Sequence, residues 1–395
     1  QLLGIEQVGT DDNFFELGGH SLLATQVVSR LRKAFQVEVP LRSVLEAPTV
    51  AGIAQTIERI LDSGKGSTVP PIVPVPRDQN LPLSFAQQRL WFLDRLEPDN
   101  PFYNLYVAFR MTGALNISAA ERSLNEVVRR HEALRTTIIE VNGQPTQHIA
   151  PSLRLELPVL DLSEVPQQEI DKHVRMLAEE EAARPFDLTV GPLVRAKLLR
   201  LGDEEHVMLF TMHHIVSDGW SMGILVSEVT VLYDAYASGK ESPLPELPIQ
   251  YADYAAWQRA WLQGDVLEEQ LSYWKTQLGG ELPMLELPAD RPRPPLQSFR
   301  GEHQFLSLPD SMSEAIRELS RQEGATLYIL LLAAFKALLF RYTGQTDILI
   351  GTPSANRNRA ETEPLLTAPD VAEVSSSLSS TCRNVKNNAG LASRR

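Results

Sequence analysis

A Gly-, Ser- and Pro-rich stretch divides the chain into a short and a long part. Residues 63–80 read SGKGSTVPPIVPVPRDQN and show little apolar periodicity. This composition is typical of a connection that is flexible at first and then extended and polyproline-like. We therefore predict an interdomain linker over residues 62–80, with a separate folding unit on each side of it.

The two parts carry different patterns. In the short part, residues 1–61, apolar side chains recur at helical spacing over 22–31 and 50–61. In the long part, helical patterns alternate with strand-like runs. The helical patterns cover 84–96, 118–133, 166–182, 221–237 and 311–322, and the strand-like runs cover 104–111, 135–141, 193–200, 206–213 and 347–351. The sequence thus predicts a small all-α bundle followed by a layered α/β region.

Composition narrows the class of protein. The 395 residues allow two or more domains, and the formal net charge of −13 argues against a nucleic-acid binder. The single cysteine, Cys382, excludes an internal disulfide framework and a Cys-based zinc site, and fits a reducing cytoplasm. The longest apolar stretch, 327–340, is interrupted by Lys336 and is too short to span a bilayer. We expect a cytoplasmic protein with no metal, no nucleic-acid partner and no membrane span.

Two adjacent histidines end an apolar, strand-like run. Residues 212–219 read MHHIVSDG, and side chains alternate faces along a strand, so His213 and His214 point opposite ways. At most one of them faces a given cleft. A histidine with an acid nearby suits general-base chemistry, because its pKa lies close to neutral pH. The alternative is a buried, hydrogen-bonded histidine pair with Asp218 as a helix N-cap.

A second motif lies in the short part. Residues 11–25 read DDNFFELGGHSLLAT, in which Gly18-Gly19 permit a tight turn before a helix. Ser21 stands at the start of that helix, where unpaired backbone N–H groups stabilise an anionic group. On spacing alone, a simple N-cap serine is the alternative.

The 11–25 string closely resembles the attachment motif of peptidyl carrier proteins in nonribosomal peptide synthetases. The resemblance implies that Ser21 carries 4′-phosphopantetheine through a phosphodiester, installed by a phosphopantetheinyl transferase. It covers residues 1–61, and most of the family's first helix is expected before Gln1. This predicts an N-terminally truncated carrier unit.

The long part resembles the condensation domain of the same synthetases at four places in the expected order. These are SFAQQRLWFLDRL (84–96), RHEALRTT (130–137), MHHIVSDGWS (212–221) and YADYAAW (251–257). The resemblance implies amide formation by attack of an amine on an aminoacyl or peptidyl thioester, in partnership with upstream and downstream carrier and adenylation domains of a secondary-metabolite (antibiotic) synthetase. The motifs are similar to those of domains that accept an L-configured donor.

The resemblance also assigns roles. His214 is the expected catalytic residue, acting either as a general base or by positioning and stabilising the intermediate, and His213 precedes it in the motif. Asp218 is expected to organise the loop through an ion pair, with Arg135 as first choice of partner and Arg89 as second. The backbone N–H of Gly219 could assist the oxyanion.

Other motif residues are given structural roles. Tyr251, Tyr254 and Trp257 of the fourth motif are expected to pack. From the residues alone, His131 and its neighbours in the second motif read as an exposed helix end followed by a strand.

Two rival functions remain open. Residues 219–223 fit G-x-S-x-G, the nucleophile elbow of α/β-hydrolases, which would make the chain a thioester hydrolase acting through Ser221. The elbow needs the strand to run straight into the serine, whereas loop-like residues 215–220 intervene. The other rival is a non-catalytic carrier or docking fragment. Whether Ser21 can be pantetheinylated at all discriminates this rival from the others.

The resemblance stops near residue 366. Residues 343–366 still match the family, and from Thr367 onward the sequence is polar, Ser/Asn-rich and aperiodic. We expect a condensation domain over 81–366 that is C-terminally truncated, with one chloramphenicol-acetyltransferase-like lobe, an incomplete second lobe and impaired activity. Residues 367–395 are expected to be an aberrant or disordered tail.

Overall fold

The computed structural model forms two compact units. It describes residues 3–5, 7–19, 21–35, 37, 39–62, 69–292, 306–323, 325–354, 357, 359, 361–368 and 370–375. One unit comprises 1–68, 264–352 and 372–395, and the other comprises 69–263 and 353–371. The expected disorder after residue 375 concerns residues outside the described ones.

The N-terminal part of the first unit is helical, as predicted. It contains α1 (Ser21–Phe35), α2 (Leu41–Glu46) and α3 (Val50–Asp62). The helices and the connection between α1 and α2 enclose a small core of Ala24, Val28, Val37, Val39, Val44 and Ile57. Helix α2 was not predicted, because a helix this short carries too few turns for a period to show.

The rest of the first unit contains α9 (Gly264–Gln277), α10 (Asp310–Gln322) and α11 (Leu327–Thr343). Helix α11 begins at the Thr326 cap and ends at Gly344, whose φ of 71° is left-handed. Strands β8 (Ile350–Ser354) and β9 (Asp370–Ser375) pair with each other.

The length and apolar character of the helices bear on whether the chain could cross a membrane. In the described ranges, each single helix is too short or too polar to cross a bilayer. Only α10 and α11 taken together, with a bend of 105° between them, reach the required length and composition.

A four-stranded sheet is the centre of the second unit. Its strands are β2 (Asn104–Thr112), β7 (Glu205–His213), β6 (Val194–Arg200) and β5 (Val159–Asp161), in the order β2-β7-β6-β5. The first three pair antiparallel, whereas β5 runs parallel to β6. The inner strand β7 is buried along nearly its whole length, which explains its continuous apolar run.

A second, three-stranded sheet has the order β1-β4-β3. It contains β1 (Leu81–Pro82), β3 (Thr136–Val141) and β4 (Gln144–Ile149). Strand β4 was not predicted, because its sequence QPTQHI is polar and contains a proline. The Asn142-Gly143 turn, with φ of 53° and 75°, explains why it pairs with β3 as a hairpin.

Helices cover the sheets of the second unit. They are α4 (Phe85–Leu96), α5 (Ile117–Arg130), α6 (Gln167–Ala183), α7 (Gly219–Ala237) and α8 (Tyr251–Trp261). One apolar core joins side chains from the helices and the larger sheet, including Leu134, Leu198, Met212, Ile215 and Leu232. Helix α7 begins two residues before the predicted start, which places Gly219 in its first turn.

The described part of the linker is bound to the second unit. The Trp257 indole donates a hydrogen bond to the Pro70 carbonyl at 2.8 Å. Arg77 pairs with Asp253 at 2.6 Å and with Glu132 at 2.9 Å. The predicted extended segment is therefore fixed by side-chain contacts, and residues 63–68, predicted to be flexible, lie outside the described residues.

The polar C-terminal stretch begins inside the packed structure. Thr367 and Ala368 are 6% and 4% exposed, and Ala368 belongs to the same core as Leu365 and Leu366. The packed structure therefore continues for at least two residues past the expected boundary at 366. Composition could not show this, because two buried small residues have no period of their own.

Candidate active site

The histidine pair lies at the end of β7, and the connection to α7, residues 214–218, is here named the catalytic loop. His213 is 2% exposed, and its Nδ1 accepts a hydrogen bond from the Ile215 N–H at 3.1 Å. Burial, with a smaller contribution from His214, lowers the pKa of His213 to about 3. His213 is therefore neutral and enclosed, and its ring fixes the turn that follows the strand.

His214 faces the other way and is only half-buried. Its backbone N–H donates to the Tyr103 carbonyl at 2.8 Å, which anchors it to the start of β2. Its Nδ1 lies 2.9 Å from the Ser217 carbonyl oxygen. Because a carbonyl only accepts hydrogen bonds, Nδ1 carries the proton and the Nε2 lone pair of the neutral ring is left for chemistry.

Asp218 closes the catalytic loop as the N-cap of α7. It is 4% exposed, and its Oδ1 accepts the Ser221 N–H at 2.7 Å and the Ser221 hydroxyl at 2.5 Å. Arg357, also buried, places Nη2 3.2 Å from the same Oδ1. The aspartate thus faces the protein interior and organises the loop.

The prediction that Arg135 or Arg89 pairs with Asp218 is wrong, because Arg357 holds that place. Arg135 donates to the Ala150 carbonyl and lies 3.6 Å from Glu132. Arg89 is exposed on α4. Arg357 is 139 residues from Asp218 along the chain, so no local spacing connects them. The sequence does indicate that a buried Asp218 needs a cationic partner, but it does not indicate which arginine supplies it.

Ser221 is not placed as a nucleophile. It is fully buried, and besides donating to Asp218 its Oγ accepts from Arg357 at 3.1 Å and from the Thr367 N–H at 3.2 Å. The catalytic loop separates it from the end of β7, although α7 begins at Gly219 and the loop is shorter than expected. A nucleophile elbow needs an exposed hydroxyl on a strand-to-helix turn, so the geometry does not favour the hydrolase.

Gly219 supplies open space beside the histidine-bearing loop. It is exposed, and a Cβ built on it would meet no atom within 4 Å. Gly219 is the first residue of α7, so its N–H makes no hydrogen bond within the helix and lies at the positive end of the helix dipole. A side chain here would fill that space, whereas glycine leaves the N–H accessible.

The second motif forms a buried ionic cluster. Arg130 binds both oxygens of Glu228 at 3.0 Å, and His131 Nε2 lies 3.1 Å from Glu228 Oε2. Burial alone would raise the pKa of Glu228, but the hydrogen bonds from His131 and Arg130 hold it at about 2. The expectation of an exposed helix end is wrong, since His131 is 1% exposed. The cluster joins α5 to α7, and Glu228 carried no sequence signal.

The fourth motif packs, as expected. Tyr251, Tyr254 and Trp257 form a continuous stack along α8, with ring centroids 5.7 Å apart at each step. The Tyr251 hydroxyl lies 2.7 Å from Ser84 Oγ, which caps α4. These rings therefore support the helices beneath the catalytic loop.

Ser21 is the first residue of α1, directly after the turn that contains Gly18 and Gly19. Gly18 has a φ of 92°, and a Cβ on Gly19 would lie 2.4 Å from the Phe14 carbonyl oxygen, so glycine is required there. The first turn of α1 contains no acidic residue. A phosphate at this position would lie at the positive end of the α1 dipole, in a first turn without an acidic residue, so the start of α1 fits the predicted phosphopantetheine.

Possible metal ligands are scattered in the described residues. Within the ranges that the structure describes, no three His, Cys, Asp or Glu side chains come together as metal ligands would. Cys382 lies outside those ranges.

Sequence comparison places both parts in known families. The condensation-domain model matches residues 77–366, and the phosphopantetheine attachment-site model matches residues 1–57. One of the linear gramicidin synthase proteins of Brevibacillus parabrevis is 53% identical over 366 residues, which cover 93% of this chain and 5% of that protein. Malpinin synthetase of Mortierella alpina is 44% identical, also over 366 residues, 93% of this chain and 5% of that protein. The chain thus spans a small fraction of the curated relatives it matches, 5% to 7% of the first three.

Structural comparison gives the same fold. The X-domain from teicoplanin biosynthesis is 30% identical with a TM-score of 0.66, over 76% of this chain and 66% of that one. The first condensation domain of the CDA synthetase has a TM-score of 0.63 at 22% identity, over 74% of this chain and 69% of that one. The second similarity supports the fold alone. Together they confirm the predicted chloramphenicol-acetyltransferase-like α/β fold.

Proposed function

Because the chain belongs to the nonribosomal peptide synthetases, as a phosphopantetheine carrier unit followed by a condensation domain, we propose that His214 is the general base of its amide-forming reaction. Condensation domains are amide-forming acyltransferases, and the carrier family holds covalent 4′-phosphopantetheine on a serine. The family implies interaction with adjacent synthetase domains and with thioester substrates. The observation that carries the proposal is the Nδ1–H bond of His214 to the Ser217 carbonyl, which leaves Nε2 free.

The proposed step follows from that tautomer. The acceptor amine attacks the thioester carbonyl carbon, and His214 Nε2 takes the proton that the nitrogen loses. Negative charge develops on the carbonyl oxygen, and in this proposal the Gly219 N–H donates to it, which the exposure of Gly219 and the open space around it support. The C–S bond then breaks, and the imidazolium returns its proton to the leaving thiolate. When bound, 4′-phosphopantetheine supplies the thiol that holds the acyl group.

The remaining assignments belong to the same proposal. Ser21 is the attachment residue and the substrate of a phosphopantetheinyl transferase, which its position at the start of α1 supports. We assign the carrier to residues 1–61, the linker to 62–80 and the condensation domain to 81–366, acting in the cytoplasm with an L-configured donor. Upstream and downstream carrier and adenylation domains are the proposed partners.

The test compares two substitutions in the pantetheinylated chain. The chain is loaded with an aminoacyl group, offered an aminoacyl carrier, and the amide product is quantified by mass spectrometry. We expect His214→Ala to lower the single-turnover rate by at least about 10²-fold, the lower range for loss of a general base. Ser221→Ala is expected to retain the reaction.

The control on loading is the mass increase of the chain, which Ser21→Ala must abolish. If the loaded chain instead released the free acid, and Ser221→Ala stopped this release while His214→Ala left it unchanged, the hydrolase assignment would replace ours. If Ser21→Ala still became pantetheinylated, the attachment residue would lie elsewhere.

A further inference from the structure

Gln87 is a buried polar side chain that the proposed reaction does not yet use. It lies on α4, in the SFAQQRLW motif, and is 1% exposed. A buried amide without partners costs free energy, so its hydrogen bonds identify what it holds in place.

The orientation of the Gln87 amide is fixed by the start of its own helix. Gln87 Oε1 accepts the Ser84 N–H at 3.1 Å, and Ser84 Oγ accepts the Gln87 N–H at 3.1 Å, which together form a capping box. Since the oxygen must face Ser84, the NH₂ group points the other way. Ser84 is itself fully buried and in contact with Tyr251.

The NH₂ group reaches the catalytic loop. Gln87 Nε2 donates to the Ile215 carbonyl at 3.4 Å and to Gln147 Oε1 at 3.3 Å. Gln147 in turn donates to the Pro82 carbonyl at 2.7 Å, so the three-stranded sheet supports the amide from behind. Ile215 follows His214 directly in the chain.

The other attachments of this turn come from the strand that precedes it. The Ile215 N–H binds His213 Nδ1, and the Val216 N–H donates to the His213 carbonyl at 3.1 Å. Gln87 holds the carbonyl of the Ile215–Val216 peptide from a different element. Its loss removes the support of α4 and leaves this peptide to the Val216 N–H bond. The loop whose Ser217 carbonyl directs the His214 ring is then held less rigidly.

We propose that Gln87 is a positioning residue for the condensation reaction: its amide holds the Ile215 carbonyl and so keeps the His214 Nδ1–H on the Ser217 carbonyl. This inference rests on the proposed role of His214. Gln87 does not touch the reacting atoms in this arrangement. Its loss should therefore lower the reaction rate of the bound complex and leave the affinity for substrate unchanged.

The chemistry of the contact allows a specific substitution. Gln87→Glu keeps the shape and still accepts the Ser84 N–H, but an ionised carboxylate cannot donate to the Ile215 carbonyl. A protonated carboxyl can donate. The rate of this variant relative to the parent should therefore rise as the pH falls, because protonation of the introduced carboxyl restores a donor to the Ile215 carbonyl.

The experiment uses single-turnover amide formation by the loaded chain across pH. We expect Gln87→Leu to lower kcat on the order of 10²-fold with KM unchanged, since misplacing a catalytic group by about 1 Å has this effect. The Gln87→Glu ratio should rise toward acid pH, and the Gln87→Leu ratio should stay flat. Gln88→Glu is the matched control, because Gln88 is an exposed neighbour that contacts Arg259.

A second readout does not depend on catalysis. In protein labelled with ¹⁵N-histidine, the His214 Nδ1–H signal should be present in the parent and in Gln88→Glu, and lost or exchange-broadened in Gln87→Leu. Unchanged His214 signals, a flat Gln87→Glu ratio, or equal changes in kcat and KM would each overturn the positioning role. If His214→Ala itself left the rate unchanged, the proposed function would fail instead.

Discussion

At the residue scale, strand geometry gives two identical side chains opposite environments. His213 is in the core, where burial holds its pKa near 3, whereas His214 keeps one ring nitrogen accessible. Each ring uses a backbone partner to fix its tautomer, the Ile215 N–H for one and the Ser217 carbonyl for the other. The same motif therefore supplies a rigid support in His213 and, in the proposed reaction, the base in His214.

Stability should decline in acid because of His213. Its pKa is about 3 in the folded chain against 6.5 for the free side chain, so between these values the unfolded chain binds more protons. The free energy of unfolding therefore falls as the pH drops from 6.5 toward 3, by up to about 1.4 kcal/mol per pH unit. His213→Asn, whose side-chain oxygen can accept the Ile215 N–H, should show a shallower slope in denaturant titrations at several pH values. An identical slope in both proteins would contradict this assignment.

The sequence predicts part of this site and misses the rest for a physical reason. Alternation along a strand predicts that the two histidines diverge, and the motif singles out His214. Which face is buried depends on β2 and α6, which lie elsewhere in the chain. Arg357 was missed because its contact with Asp218 joins distant segments, and no periodicity encodes such a pair.

At the element scale, α7 connects the catalytic loop to the rest of the fold. Its first turn is capped by Asp218, and its middle is tied to α5 through Glu228. Long amphipathic or apolar elements such as β7 and α5 could be predicted to within two or three residues. Helix α2 and strand β4 could not, because a very short helix and a polar inner strand depend on tertiary contacts more than on pattern.

Removing the charge of Glu228 should loosen α5 from α7. Glu228→Gln leaves Arg130 buried without its anion, for which we expect a loss of about 3–5 kcal/mol in unfolding free energy. In the parent, the folded pKa of about 2 lies below the free value of 4.5, so this stabilisation is complete above pH 4.5 and is lost as the pH falls through 2. The variant should therefore lose less stability than the parent between pH 4.5 and 2. Urea titrations at these pH values measure the difference, and equal losses would refute it.

At the scale of the whole molecule, the linker is partly a structural element of the second unit. Asp253 of α8 accepts the Val75 N–H at 2.8 Å and also binds Arg77. Composition predicts an extended conformation for this segment, because proline restricts the backbone in any context. Composition could not predict where the segment binds, since that depends on a carboxylate 178 residues away.

Breaking the Arg77 contacts should release this segment without unfolding the sheet. Arg77→Met removes the pairs with Asp253 and Glu132, and leaves Asp253, which is 1% exposed at its side chain, with its backbone hydrogen bonds. Local opening then needs less free energy, so the Val75 N–H should exchange with solvent faster, while amides of β7 keep their protection. Limited proteolysis should cut residues 69–77 sooner than in the parent.

Lys240→Met, at an exposed position after α7, is the control and should change neither readout. Unchanged exchange at Val75 in Arg77→Met would contradict this prediction and would mean that the Asp253 bond to Val75 and the Trp257 bond to Pro70 hold the segment without Arg77.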